Sequence, residues 1–339
     1  MKYVYGVLGF LVALAAALTL APTWLKIEGT PLALTLPFGQ ALAMRWIISL
    51  PLIIIGIIIA TLALFRFAAL RRGGIAALTA LAVIAVGVIH AGIIKSRGID
   101  STTTLPPDEG ITHVSEGTGA ITVMSYNTLD GATTMEQIRD LVMDNGVDVI
   151  VLLETSAADA RHLGELLDET HRPFHVFDSG ADEYGPSIES TCVLVSTALG
   201  EYTNVGDLGL TWGSLHLKPA NGNGPDIVAV HPVSPERSRE ELWRSEITTA
   251  YSMCEQDHLI LAGDFNSTVD HMRATGANCR SALDGTVGGL GTWPADAPRL
   301  LGAPIDNIFS DYPSRAAAIV TVGKSDHRAV IARLDPSGK

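Results

Sequence analysis

Two uncharged apolar runs near the N-terminus, Trp46–Phe65 and Ile75–Ile94, constrain this chain more than anything else in it. Each has the length that an α-helix needs to cross the hydrocarbon core of a bilayer, about 20 residues. A third run, Val4–Leu20, precedes them. It is shorter and follows only Lys2, so it reads either as another span or as a signal peptide. Taken as spans, residues 4–20, 46–65 and 75–94 make 1–95 a membrane anchor of three transmembrane helices; the competing reading is a buried helix pair in a soluble protein. His90 is the only Asp, Glu, Lys, Arg or His inside those runs, which gives a channel or transporter little to work with.

Charge divides the chain at the same place. Of 23 Lys and Arg and 36 Asp and Glu, seven and one fall in residues 1–95, so 96–339 carries 16 against 35, a net of −19. So acidic a domain repels polyanions at long range, and no Lys/Arg cluster offsets it. Lys2, Arg66, Arg71 and Arg72 lie on one side of the spans, and Lys26, Arg45, Lys95 and Arg97 on the other. The positive-inside count is therefore tied. The dense 66–74 connection favours the cytoplasm for that side, which makes the chain a multi-pass cell-membrane protein with its acidic part extracytoplasmic.

Residues 96–118, rich in Thr, Pro, Gly and acid, read as a linker. From Gly119 to Lys339 the pattern is that of one globular domain. Short apolar strands at 121–130, 147–156, 174–179, 191–197, 208–217, 226–232 and 259–264 alternate with amphipathic helices at Met135–Asp144 and Ala157–Glu169. A further helix starts with Ser234 as cap and Pro235 at its first position, running toward Cys254. Two more strand-like segments, 304–309 and 324–334, end the chain. Strand pairs separated by helices predict a layered α/β (α+β) domain.

Polar residues recur where apolar runs stop. LILAGDFNSTVD, Leu259–Asp270, is a buried strand ending in Gly263, with Asp264 and Asn266 projecting on one side and Phe265 on the other. A carboxylate beside an amide suits phosphoryl chemistry: one takes a proton from water and the other holds an oxyanion or orients the acid. Asn127, Glu154, His231, Asp306, Asp326 and His327 fall at comparable positions. Taken singly, each has an ordinary structural reading: Glu154 as a helix cap, His231 as a core histidine, Asp326 as a turn cap. Strand ends gather at one sheet edge, so together they predict one pocket.

These residues resemble the endonuclease/exonuclease/phosphatase superfamily. GDFN (263–266) and SDH (325–327) carry most of the likeness, supported by SYNT (125–128), LLE (152–154), VHP (230–232) and PID (304–306), over roughly Gly119–Leu334. The resemblance implies a four-layer α/β sandwich with two central mixed sheets and a divalent-metal phosphoesterase activity. It implies Glu154 as the principal metal ligand with Asp326 and Asn127 nearby, and Mg²⁺ as the ion, Mn²⁺ being an alternative. It casts Asp264 as the group that orients or deprotonates water, Asn266 as a phosphate-positioning group, His327 held by Asp306 as a donor to the phosphoryl oxygens or a proton-transfer group, and His231 as a group that stabilises the opposite side of the transition state or protonates the leaving group.

The chain departs from the family pattern at Asn307, where an aromatic or His is commoner, and at 191–197, which lacks a Gly-rich lead-in and a final Arg. Asn266-Ser267-Thr268 also matches a glycosylation acceptor, but a glycan there would block the site. Trp293, in GLGTWP, is a candidate substrate-binding residue, with packed core as the alternative. Cys254 and Cys279 flank the Asp264 strand and, outside the cell, can pair; Cys192 lies in a buried strand. The expected partner is a phosphoester, whether lipid headgroup, small molecule or nucleic acid, and nothing points to a protein partner. The leading expectation is a phosphoesterase of lipid-borne or small substrates. A tethered nuclease and a catalytically idle scaffold of the same fold are the alternatives.

Overall fold

The computed structural model describes residues 2–106, 119–180 and 187–337, so most of the expected linker, 107–118, lies outside the described residues. The chain divides into two compact units, Met1–Ser96 and Arg97–Lys339.

The first unit is helical. Helix α1 (Lys2–Leu18) is followed by the two-residue strands β1 (Lys26–Ile27) and β2 (Thr30–Pro31), α2 (Phe38–Ala43), α3 (Arg45–Leu70) and α4 (Gly74–Arg97). At 1.5 Å per residue, α3 and α4 extend about 39 and 36 Å, more than the roughly 30 Å hydrocarbon core. Helix α1, with 17 residues, reaches only about 25 Å. Among the described residues, two helices, not the expected three, are therefore long and apolar enough to cross a membrane. Helices α3 and α4 approach closely: a Cβ on Gly87 would stand 3.0 Å from the Ser49 carbonyl, and the Ser49 hydroxyl donates to the Gly87 carbonyl at 2.8 Å. Small residues and backbone-directed hydroxyls are what an apolar solvent leaves for helix association. His90 is fully buried, with Thr19 Oγ1 at 2.9 Å from Nε2 and Arg45 Nη1 at 2.9 Å from Nδ1.

The second unit is built on two mixed sheets. In chain order its strands and helices are β3 (Ile121–Asn127), α5 (Met135–Asn145), β4 (Val149–Leu153), α6 (Ala157–Asp168), β5 (Phe174–Asp178), β6 (Thr191–Ser196), β7 (Tyr202–Gly206), β8 (Ser214–Pro219) and β9 (Asp226–Val230). There follow α7 (Glu240–Ser252), β10 (Leu259–Asp264), α8 (Val269–Thr275), β11 (Asp306–Ser310), β12 (Ser314–Val320) and β13 (Ala329–Leu334). One sheet has the order β12-β13-β3-β4-β6-β5 and the other β11-β10-β9-β8-β7. Among the described residues, only β3–β4 and β9–β10 are parallel.

Period-two alternation sorts the side chains between two cores. Val149, Val151 and Leu153 of β4 join Leu215, Ile227, Ala229, Ile260 and Ala262 between the sheets. Ile150 and Leu152 face the other way, onto Ile138, Leu141 and Val142 of α5 and Leu163 and Leu167 of α6. Each fully buried aliphatic side chain contributes about 1.5–3 kcal/mol. Helix α5 is set by a Thr134–Gln137 capping box and by Gly146 (φ 63°) at its end, and α6 by the Ser156 hydroxyl accepting from the Asp159 N–H. Tyr251 of α7 stacks on Phe265 at 5.1 Å and meets Phe309 of β11 edge-on at 5.7 Å.

Two of these expectations need correction. The run 208–217 is not one strand: β7 and β8 pair antiparallel around a turn in which Gly209 and Gly213 have φ of 69° and 97°. Ser234 does not cap α7, which starts only at Glu240 after a single 3₁₀ turn, because Glu236 is still extended (φ −102°, ψ 151°); the Ser234 hydroxyl donates to Glu236 instead. After Asp264 the chain forms a short helix, α8, capped by Thr268 with His271 at the reciprocal position. Within the stretch read as linker, Asp100 N donates to Thr286 O, Thr102 O accepts from Ile319 N, and Leu105 is buried with its N–H on Asn145 Oδ1.

Candidate active site

The parallel and antiparallel registers bring the polar strand ends together. In β3–β4, Asn127 is opposite Leu153, so Glu154 follows one step beyond. In β9–β10, Val230 is opposite Gly263, which sets His231 beside Asp264, and in β10–β11 Asp264 is opposite Asp306. A Cβ on Gly263 would stand 2.0 Å from the Val230 carbonyl oxygen, so this approach requires glycine. Within the six-stranded sheet, Ser325, just before β13, donates to the Asn127 carbonyl at the end of β3 at 2.7 Å, which places Asp326 and His327 over the same edge.

Asn127 bridges the two sheets, its Nδ2 donating to Glu154 Oε1 at 2.9 Å and to Asp264 Oδ2 at 3.3 Å. His327 Nδ1 lies 2.9 Å from Asp306 Oδ2, while its Nε2 is 3.6 Å from Asp264 Oδ2 and 4.0 Å from Asp326 Oδ1. His231 Nε2 is 3.7 Å from Asp264 Oδ2 and 3.9 Å from Glu154 Oε1. Asp264, Asp306, His231 and His327 are all buried. The ring of His231 packs at 5.0 Å against Trp212, itself under the Arg239 guanidinium at 5.3 Å.

Two histidines on one carboxylate diverge in basicity. Burial pushes His231 down to about 4, against the pull of Asp264. Burial lowers His327 as well, but Asp306 and Asp264 outweigh it and carry the imidazole up to about 10. At neutral pH the site therefore holds a neutral His231 and a cationic His327 on either side of Asp264. Burial raises Asp264 and Glu154, and neighbouring carboxylates add to the shift in both.

Not every expected residue projects into the cluster. Asn266, half-buried at φ 45°, directs Nδ2 to the Pro232 carbonyl at 3.0 Å, and its own carbonyl accepts from Trp243 Nε1. Trp293 is half-buried and donates from Nε1 to Asp326 Oδ2 at 2.8 Å. Cys254, before β10, and Cys279, after α8, are joined by a disulfide beside Leu259, at the end of β10 away from Asp264, and Cys192 is a buried thiol outside that bridge that donates to the Thr155 carbonyl at 3.3 Å. Sequence reasoning missed three supporting residues. Buried Glu246 accepts from Thr211 and from Val233 N, holding the turn after His231. Thr292 Oγ1 accepts from Ile305 N and Asp306 N at 3.1 Å. Arg328 donates to four backbone carbonyls, those of Gly291, Pro294, Ala295 and Ala297. Nothing in their sequence neighbourhoods, polar around Glu246 and Arg328 and Gly-rich around Thr292, sets them apart.

A divalent cation fits this donor set. Asp326 Oδ1 and Asp306 Oδ1 are buried without a hydrogen-bond partner among the described residues, and the carboxylates supply hard oxygen donors. Ligand atoms of Asp264, Asp306 and His327 lie within 4.8 Å of one another.

The chain belongs to the Endonuclease/Exonuclease/phosphatase family, whose profile matches residues 124–327. Members of that family hydrolyse phosphoester bonds, and generally depend on a divalent metal. Among solved structures, it is similar to humanized D. rerio TDP2 carrying 14 mutations, at 14% identity over 64% of this chain and 99% of that one, with a TM-score of 0.49. It is also similar to an endonuclease/exonuclease/phosphatase from Bacteroides vulgatus (14%, 64% and 98%, TM-score 0.46) and to the 3′ phosphatase NExo from Neisseria (17%, 63% and 99%, TM-score 0.45). Among curated proteins no match is found.

Proposed function

We propose that this protein is a membrane-anchored, divalent-metal-dependent phosphoesterase that uses an activated water to hydrolyse a lipid-borne or small phosphoester outside the cytoplasm. The observation that carries the reading is Asp264 held between a cationic His327 and a neutral His231, with Asn127 tying it to Glu154. Glu154 and Asp326, with Asn127 beside them, would hold Mg²⁺ or Mn²⁺; when bound, the ion supplies charge to polarise a phosphoryl oxygen. Asp264 takes the proton of the attacking water. His327, fixed by Asp306, donates to the phosphoryl oxygens, and His231 donates from its neutral ring on the opposite side. Asn266 positions the phosphate indirectly, through the Pro232 turn that carries His231.

The two sheets, with helices α5 and α6 on one and α7 on the other, support the four-layer sandwich implied by the resemblance. The two apolar helices α3 and α4 support the membrane tether, and the Cys254–Cys279 disulfide supports an extracytoplasmic domain. The −19 charge of residues 96–339 favours a small or lipid-borne phosphoester over a polyanion.

The test uses the full-length protein in detergent with chromogenic phosphomonoester and phosphodiester substrates, with Mg²⁺ or Mn²⁺ and after chelation. Turnover that needs the metal and disappears in Asp264→Asn and His327→Ala is the expected result. Absence of both turnover and metal binding would sink the reading, and faster cleavage of DNA or RNA that falls steeply with salt would replace it with a nuclease.

A further inference from the structure

We propose that Trp293 is a positioning residue for Asp326 rather than a stacking surface for substrate. The inference rests on the phosphoesterase reading above. The Trp293 indole N–H donates to Asp326 Oδ2 at 2.8 Å, and Asp326 Oδ1 is left buried with no hydrogen-bond partner among the described residues. One carboxylate oxygen is therefore pinned by the protein and the other is directed into the cluster, 4.0 Å from His327 Nε2. A carboxylate free to rotate exchanges its two oxygens; a donor fixed on one of them removes that freedom and orients the ligand.

The loop carrying Trp293 is built to hold this geometry. Ala295 N donates to the Asp326 carbonyl at 2.6 Å, and Arg328 N donates to the Thr292 carbonyl at 2.9 Å. The Arg328 side chain, 3% exposed, gathers the carbonyls of Gly291, Pro294, Ala295 and Ala297, closing the loop back on the residues that follow His327. On its other side Thr292 Oγ1 fixes the backbone of Asp306. Thr292 and Trp293 thus orient the two acids that flank His327, one through the main chain and one through the side chain. A tryptophan serving as a stacking platform has no need of a committed N–H; this one donates to a charged acceptor, which strengthens the bond.

The test measures Mn²⁺ binding to the full-length protein by electron paramagnetic resonance, without substrate, for wild type, Trp293→Phe, Asp326→Asn and the double variant. Trp293→Phe is expected to weaken Mn²⁺ about 10-fold or more, as loss of an outer hydrogen bond to a metal ligand does. In turnover, the metal concentration for half-maximal rate should rise by about 10-fold or more while KM for substrate stays unchanged. Adding Trp293→Phe to Asp326→Asn should weaken Mn²⁺ no further. Unchanged Mn²⁺ affinity in Trp293→Phe, or a rise in substrate KM alone, overturns the inference and leaves the phosphoesterase reading standing. Failure of the wild type to bind Mn²⁺ overturns both. If Trp293→Phe does not fold, Trp293→Leu, which also offers no side-chain donor, takes its place in each comparison.

Discussion

His327 and Asp306 belong to opposite sheets and meet at 2.9 Å through Nδ1 and Oδ2. Asp306 opens β11 in the five-stranded sheet, and His327 sits just before β13 in the six-stranded one. Both side chains are buried, so the pair forms part of the joint between the sheets as well as part of the site.

Asp306→Asn keeps the shape of the partner and removes its charge. His327 then loses its largest source of positive shift, so kcat is expected to fall by about 10²–10³, the range for a weakened donor to a developing oxyanion. Mn²⁺ affinity should stay within a few-fold. Steady-state kinetics read alongside metal binding check this, and a kcat within threefold of wild type would remove Asp306 from the mechanism.

The raised pKa of His327 has a sign for stability. The folded imidazole holds its proton up to about 10, against an ordinary 6.5. Its contribution is therefore complete below pH about 6.5 and is lost as pH rises from there through about 10. In metal-free full-length protein, the melting temperature of wild type should fall more steeply over that window than that of His327→Gln. Parallel slopes would show that the proton is not held as described.

Glu154→Gln separates the cost of burying a carboxylate from its use. Burial and Asp264 both disfavour the charged form, so the metal-free variant should be as stable as wild type or more so. Wild type at a cation concentration of 100 Kd gains about 2.7 kcal/mol, and the variant should gain almost none. Thermal unfolding with and without Mg²⁺ distinguishes the two, and an equal gain in both proteins would exclude Glu154 as a ligand.

The Cys254–Cys279 bridge closes a loop with a sequence separation of 25 residues. Replacing both cysteines by alanine should cost about 3 kcal/mol. Because the bridge lies beside Leu259, at the end of β10 away from Asp264, turnover below the melting range should be preserved. Melting curves and kcat of the double variant check both halves; a large loss of kcat in a folded protein would tie the bridge to the site.

Legibility followed the physics of each element. Glu154, Asp264, Asp306 and His327 could be read because an apolar run stopping at a polar residue marks a strand end, and strand ends share an edge. The direction of a side chain at that edge could not be read. Asn266 lies beside Asp264 in sequence, but its φ of 45° turns its amide to Pro232, and Trp293 owes its contact to a loop closed by the distant Arg328. Helix α8, with seven residues, is too short for periodicity to register, and His271 at its capping position is an unusual choice. The strand expected across 208–217 failed because apolar spacing was read through Gly209 and Gly213, where the backbone reverses. Helix α1 shows the same limit in another form: its hydropathy was plain, but its length fell short.

Glu154 and Asn266 both sit in left-handed backbone, at φ 52° and 45°. For an L-residue that conformation costs on the order of 1–2 kcal/mol, less for Asn than for Glu. Directed evolution of this chain for heat resistance alone would therefore be rewarded for placing glycine at Glu154, and would discard a carboxylate from the pocket as it did so. Libraries screened only on melting temperature should become enriched at this position, and the winners should be inert.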